Sequence, residues 1–304
     1  MPDEIGTRSL IIRFLHLYRA MSTSIVEAFC FRQPVIVAAL HLICAPFVLE
    51  LTRLGLKMES MIASDGDLKG ASEWLVEIGS KDIYVHGAHH VPLTGPVLFV
   101  GNHAGLGDAH ALMSASPRRD THFLASDFGI LPGLRAMRRH VIVVDQSQPV
   151  ASFRACLRHL RAGKSLLLYP RGEIEADPGL HLEAALDTLS QWSRSIEHLA
   201  RHVPDMAIVP FAVGGVLSRR ALRNPIVRQY QNSGKRRFLA ATFQMMFPIY
   251  RDPVISLRFG SALSGEWAKR DLVLAQMNTL LRHVNAEQQE LNRSAANPVF
   301  SHRF

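Results

Sequence analysis

From about residue 81 the chain alternates short, continuous apolar runs with longer stretches in which apolar residues return every three or four positions. "IYVHG", "PVLFVG", "THFLA", "VIVV", "SLLLYP", "AIVPFAV" and "VISLRFG" are of the first kind and predict β-strands. "VASFRACLRHLRAG", stopping at Gly163, the long stretch "HLEAALDTLSQWSRSIEHLARH" and the late "DLVLAQMNTLLRHVNAEQQELNRS" are of the second and predict helices. "DFGILPGLRAMRRH" predicts a short helical stretch broken by proline. Strands without polar alternation, interleaved with helices, predict an α/β fold: a mostly parallel central sheet flanked by helices, over residues 81–304.

The first 80 residues follow another pattern. In "LIIRFLHLYRAM", Arg13, His16 and Arg19 make a narrow basic stripe, and Leu10, Ile11, Phe14, Leu15, Leu17 and Tyr18 cover most of the remainder. That distribution suits a membrane interface. In "PVIVAALHLICAPFVLELTRLGL" the apolar run from Val35 to Leu49 is interrupted only by His41. It is short of the ~20 residues needed to span a bilayer. Pro46 should bend it, and Glu50 and Arg53 should end it. Residues 1–80 are therefore expected to form an amphipathic, monotopic helical segment holding the protein at membrane lipids on the cytoplasmic face. Deleting residues 1–60 should then release the protein. The alternative is an ordinary helix pair packed on the main domain. "MPDEIGTR" lacks the features of a secretory leader.

Charge adds a partner class. Lys and Arg number 34 against 26 Asp and Glu, a formal net charge of +8, which suits an anionic partner. "SRRALRNPIVRQYQNSGKRRF" concentrates Arg219, Arg220, Arg223, Arg228, Lys235, Arg236 and Arg237, either to meet anionic headgroups or coenzyme phosphates or as a solvated surface. Interleaved aromatics and recognition motifs are missing, so no nucleic-acid partner is expected. Cys30, Cys44 and Cys156 have no metal spacing and read as reduced, buried thiols. "RAGKS" has Arg158 where a phosphate loop needs its first glycine, and neither a nucleophile elbow nor a dinucleotide fingerprint is present.

The chemistry concentrates in "FVGNHAGLGDAHAL". If "PVLFV" is a strand, His103 lies just past its C-terminal end, where α/β folds place ligands. Gly105 and Gly107 permit a tight loop. Asp108 starts the next helix and can fold back onto the imidazole, fixing its tautomer and leaving the other nitrogen basic. No serine stands beside this pair, so the base is expected to activate a substrate hydroxyl rather than an enzyme nucleophile. A metal held by His103, Asp108 and His110, with His89 and His90 nearby, is disfavoured because Asp108 and His110 diverge on a helix start.

The stretch resembles the first motif, N-H-x-x-x-x-D, of the PlsC-like glycerolipid acyltransferases. "FLASDFGILPGLRAMRRHVIVVDQ", "LLLYPRGEIE" and "AIVPFAVGG" resemble the next three blocks, in order, and "SLRFGSAL" the closing strand. The resemblance covers roughly residues 81 to 265. It implies transfer of a fatty acyl chain from acyl-CoA or acyl carrier protein, as co-substrate, to a hydroxyl of a glycerolipid or lipid-like acceptor. His103 is the implied base, Asp108 its partner, and no cofactor or metal is needed. It places substrate contacts at Asn102, Gly105, Gln146, Tyr169, Pro170, Arg171, Gly172, Glu173 and Pro210. An oxyanion would be held by backbone N–H groups of the glycine loop or of the Tyr169–Glu173 turn. Gln146 and Ile174 stand where the family has arginines assigned to an acceptor phosphate. A neutral or glycosylated acceptor is therefore expected, unless Arg171, or arginines such as Arg154 or Arg219, restore the charge. A lipid-binding protein without turnover and an acyl-thioester hydrolase are the alternatives.

Overall fold

The strands expected from residue 81 onward all form in a computed structural model of the chain, which describes residues 3–126, 130–145, 147–265 and 268–296. They are β1 (Asp82–His86), β2 (Val97–Gly101), β3 (His122–Ser126), β4 (Val141–Val144), β5 (Ser165–Leu168), β6 (Ala207–Gly214) and β7 (Val254–Phe259). Among the described residues they make one sheet in the order β1-β7-β6-β2-β5-β3-β4. The five strands from β6 to β4 are parallel. β7 is antiparallel to β6 and parallel to β1, so these two run the other way at one edge.

The helices are α1 (Asp3–Ala28), α2 (Pro34–Asp65), α3 (Lys69–Gly79), α4 (Asp108–Ala115), α5 (Arg135–Arg138), α6 (Pro149–Arg161), α7 (Leu182–Thr188), α8 (Ser195–His202), α9 (Arg219–Arg223), α10 (Pro225–Arg228), α11 (Ser233–Met246) and α12 (Arg270–Ala296). Alternation along β2 divides the core. Val97 and Phe99 point with Leu167 and Phe211 toward Met58, Ile62 and Leu112 of α2 and α4. Leu98 and Val100 point with Leu166 and Ile208 toward Leu160, Leu199 and Leu281 of α6, α8 and α12. Both faces are covered, which explains the uninterrupted apolar strands.

Pro210 sits inside a central strand, a position that normally excludes proline. The β6–β7 ladder is interrupted there: Phe211 pairs with Phe259 and Ile208 with Leu263. Between them the Pro210 carbonyl accepts from the Gly260 amide at 2.7 Å. The missing proline N–H falls at this irregularity, so the residue serves strand pairing.

Three expectations change. First, α2 does not end at Glu50 or Arg53; it is a 32-residue helix that runs through Pro46 to Asp65. Glu50 and Arg53 pair with each other on the exposed side, 3.8 Å apart, while Leu51, Gly55, Met58, Glu59 and Ile62 turn inward. By length and composition alone the whole helix is long and apolar enough to cross a membrane, although its apolar run, interrupted only by His41, remains Val35 to Leu49. Second, the long helix expected over 181–202 is broken between α7 and α8, because Trp192 turns inward and is 2% exposed. Third, the basic stretch folds into α9, α10 and α11, which pack Ala221, Val227, Leu239 and Phe243 against Ile25, Phe29, Val48 and Leu51 of the N-terminal helices and the turn between them.

Candidate active site

β2 ends at Gly101, where a Cβ would sit 2.3 Å from the Phe211 ring, so no larger residue fits. Asn102 follows. Its side chain donates to the Val213 carbonyl at 2.8 Å and accepts from the Val213 amide at 2.9 Å, extending β2 onto β6. This engagement leaves Asn102 buried in the sheet rather than facing a ligand.

His103 then emerges at the carboxyl end of β2. Its Nδ1 lies 2.8 Å from Asp108 Oδ2, and its side chain is 24% exposed against 1% for Asp108. Asp108 begins α4, where the helix dipole favours its charge. Each of its oxygens has a further donor: the Gly105 amide to Oδ2 at 3.0 Å and the Tyr169 hydroxyl to Oδ1 at 2.8 Å. The carboxylate is therefore held in one orientation, and it accepts from Nδ1 when that nitrogen carries the ring proton. Among the described residues no hydrogen bond engages Nε2. The Tyr169 ring also stacks on the imidazole, with centroids 4.4 Å apart and planes 15° apart.

The backbone of His103 is fixed as firmly as its ring. Its amide donates to Glu175 Oε2 at 2.9 Å, and its carbonyl accepts from the Glu175 amide. Glu175 is fully buried and also accepts from Trp192 Nε1 at 2.9 Å. The Ser193 amide donates to the Pro170 carbonyl, so the break between α7 and α8 closes on the same turn.

Electrostatics follow from this enclosure. Burial pulls the His103 pKa down, but the Asp108 charge, its hydrogen bond and the Glu175 charge push it up, and the net value lies above the ordinary 6.5. Burial, then the Asp108 charge and hydrogen bond, raise the Tyr169 hydroxyl well above its usual range, so it stays a donor. Burial lowers His110 to about 4, against a small opposing pull from Asp108. His110 faces Ser72 on α3 at 3.1 Å, away from His103. His90 meets the Phe259 carbonyl instead. His103, His110 and His90 thus each engage a different group.

The structure brings the Tyr169–Glu173 turn to the dyad, closed by the Gly172 amide on the Tyr169 carbonyl at 3.0 Å. Gly172 has φ of 74°, a conformation that favours glycine. Gly105 and Gly107 do not use that freedom; neither has positive φ. The Gly105 and Gly172 amides are already engaged, which removes them from the expected oxyanion donors. Arg171 lies 3.7 Å from the exposed Glu173 carboxylate. Gln146 lies outside the described residues. Arg154 is exposed on α6 and Arg219 donates to the Gly179 carbonyl, so neither brings its charge to this turn. Arg237 of α11 comes closest to doing so, donating to the Ile174 carbonyl at 3.4 Å. Arg237 enters the sequence reading only within the basic stretch, and Glu175 and Trp192 have no role in it. Their only local signal is a carboxylate following an apolar strand and its turn.

Residues 82–214 match the family model of the acyltransferases. The match runs from β1 through β6 and encloses the dyad and the Tyr169–Glu175 segment. This stretch of the chain is similar to the acyltransferase family, as the motif order implies. Among solved structures the chain is similar to the 1-acyl-sn-glycerophosphate (LPA) acyltransferase PlsC from Thermotoga maritima. The identity is 15%, the TM-score 0.43, and the coverage 92% of this chain and 97% of that one. No curated protein matches at a significant level.

Proposed function

We propose that this acyltransferase-like domain moves a fatty acyl chain from an acyl thioester, acyl-CoA or acyl carrier protein, to a hydroxyl of a glycerolipid or lipid-like acceptor. The supporting observation is the dyad: a partly exposed imidazole whose Nδ1 is held at 2.8 Å by a buried carboxylate at the end of a central strand. Nε2 takes the proton of the acceptor hydroxyl as its oxygen attacks the thioester carbonyl. Asp108 offsets the positive charge that develops on the ring. The tetrahedral intermediate expels the thiolate, which receives the proton from Nε2. The products are an ester and a free thiol.

Among the described residues no Ser, Thr or Cys side chain is hydrogen-bonded to His103, which favours direct transfer over an acyl-enzyme. With the Gly105 and Gly172 amides engaged, the oxyanion is assigned to other donors of these turns, Arg171 among them. Substrate contact by Arg171, Gly172 and Glu173 belongs to the same proposal. The acceptor and product would reside in the bilayer to which the N-terminal helices hold the enzyme. That bilayer is assigned to the cytoplasmic side.

The test is mass spectrometry of lipids after incubation with acyl-CoA and a mixed acceptor pool. The expected result is a new ester lipid and an equal amount of free coenzyme A. Thiol release that is independent of acceptor would replace transfer with hydrolysis. No consumption of donor by wild-type protein would leave a lipid-binding protein.

A further inference from the structure

Beyond the Tyr169–Glu175 turn the chain enters the wall of a cavity of about 480 Å³. Arg223 at the end of α9, Arg228 at the end of α10, and Arg236 and Arg237 of α11 line it. Sequence alone left these arginines as either an anion site or a solvated face. The cavity favours the first, because three consecutive helices joined by two short connections bring these arginines to the lining of one concavity.

Among the described residues none of the four arginines pairs with a carboxylate, whereas nearby Arg220 meets Asp252 at 3.4 Å and Arg171 meets Glu173. One carboxylate, Asp177, lies in the wall. Its Oδ1 accepts from the Gly179 and Gly215 amides and its Oδ2 from the Val216 and Leu217 amides, so its lone pairs are engaged. Arg237 Nε is buried and has no partner among the described residues. A buried donor left unpaired is costly, and an anion would satisfy it. Burial first, then the charges of Arg171 and Arg236, lower the pKa of Arg237 against an opposing pull from Glu175.

We infer that this cavity is a binding site for a phosphate-bearing ligand, with the phosphoryl oxygens held by Arg223, Arg228, Arg236 and Arg237. Guanidinium forks match phosphate geometry. The volume is in the range of small-molecule sites, about 300–1,000 Å³, and well above that of one inorganic anion. Leu180, Leu217 and Leu222 give it an apolar side for the rest of the molecule. The cavity is also tied to the catalytic loop. Arg237 donates to the carbonyl of Ile174, and the next residue, Glu175, holds the His103 amide. The ligand is thus assigned as one of the two substrates, by its phosphates: the coenzyme end of the donor or a phosphomonoester on the acceptor. That assignment rests on the acyl-transfer reading; the anion site does not.

The experiment is isothermal titration calorimetry on the full-length protein carrying His103→Ala, in detergent, with inorganic pyrophosphate as the probe. Saturable binding is expected. It should weaken about tenfold or more in Arg228→Gln and in Arg236→Gln, as loss of a charge-assisted bond implies. Arg228 is exposed, so its substitution spares the fold. Arg282→Gln on α12, with the same change in charge, should bind as before. No saturable binding, or equal weakening in all three variants, overturns the site. Competition then identifies the source. Displacement by adenosine 3′,5′-bisphosphate assigns the cavity to the donor, and displacement by a short-chain lysophosphatidate assigns it to the acceptor. Pyrophosphate binding that neither displaces keeps the anion site and refutes its assignment to a substrate, whatever the catalytic outcome.

Discussion

At the scale of single residues, the site depends on how Asp108 divides its two oxygens between His103, Tyr169 and the Gly105 amide. His103→Ala should abolish transfer without loss of the fold, since the ring stands partly exposed in a loop; thiol release by the purified variant measures it. The pH dependence has a defined sign. A base works when neutral, so kcat/KM should rise with pH through the His103 pKa, which lies above the ordinary 6.5. Asp108→Asn removes the charge that raises it while burial remains. The midpoint should move down, and the plateau should fall by about two to four orders of magnitude. Tyr169→Phe removes the donor that shares the Asp108 charge but keeps the stacked ring. Here the midpoint should move up, with a loss of about tenfold. Midpoints shifting in the same direction in the two variants would contradict this division of charge.

At the scale of elements, α2 has two roles along one helix. Its first half carries Val35, Leu42 and Ile43, which are 81%, 78% and 64% exposed, while its second half is core. Ile11, Ile12 and Leu15 of α1 and Phe31 in the turn are exposed as well. Apolar side chains of this size gain about 1.5–3 kcal/mol each when fully removed from water. Changing Val35, Leu42 and Ile43 together to Ser should therefore reduce liposome binding strongly in a flotation assay. Thermal stability should change by no more than about 0.5 kcal/mol per site, because these side chains leave no cavity. Met58→Ala, one helix half away and 7% exposed, should do the reverse, costing about 2–5 kcal/mol with membrane binding retained. High salt should weaken liposome binding only in part, since apolar burial is not screened. Complete release by salt would refute the apolar contribution.

At the scale of the whole molecule, the N-terminal segment is not a detachable anchor. Glu59 of α2 pairs with Arg13 at 3.0 Å and accepts from the Ala136 and Met137 amides at the start of α5. Leu17 is fully buried against the same core. Deleting residues 1–60 should accordingly unfold or aggregate the protein rather than release an intact domain; circular dichroism on the truncated chain distinguishes the two. Glu175 couples the β2 loop, the β5 turn and the α7–α8 break in a similar way. Glu175→Gln presents an amide donor to one of two N–H groups, and should cost about 1–3 kcal/mol of stability together with activity. The arginine cavity belongs to this scale too, because α9, α10 and α11 join the N-terminal helical hairpin to the loop that carries His103.

What the sequence determined by itself is what short-range patterns encode. Strand existence follows from apolar runs bounded by Gly and Pro, and two-faced burial from the lack of polar alternation in β2, β5 and β6. The pairing of His103 with Asp108 spans one loop, so a spacing of five residues sufficed to read it. What only the tertiary structure decided involves residues far apart in the chain. Glu175 reaches His103 across 72 positions and Arg237 reaches Ile174 across 63. The helical period over 181–202 was real, yet the buried indole–carboxylate bond outweighed it and broke the helix. Glu50 and Arg53 looked like an end to α2 because charge was read along one line, whereas burial on the opposite face carried the helix past them. Local periodicity records which residues leave water; it does not record which of them meet, and the chemistry of this site lies in that meeting.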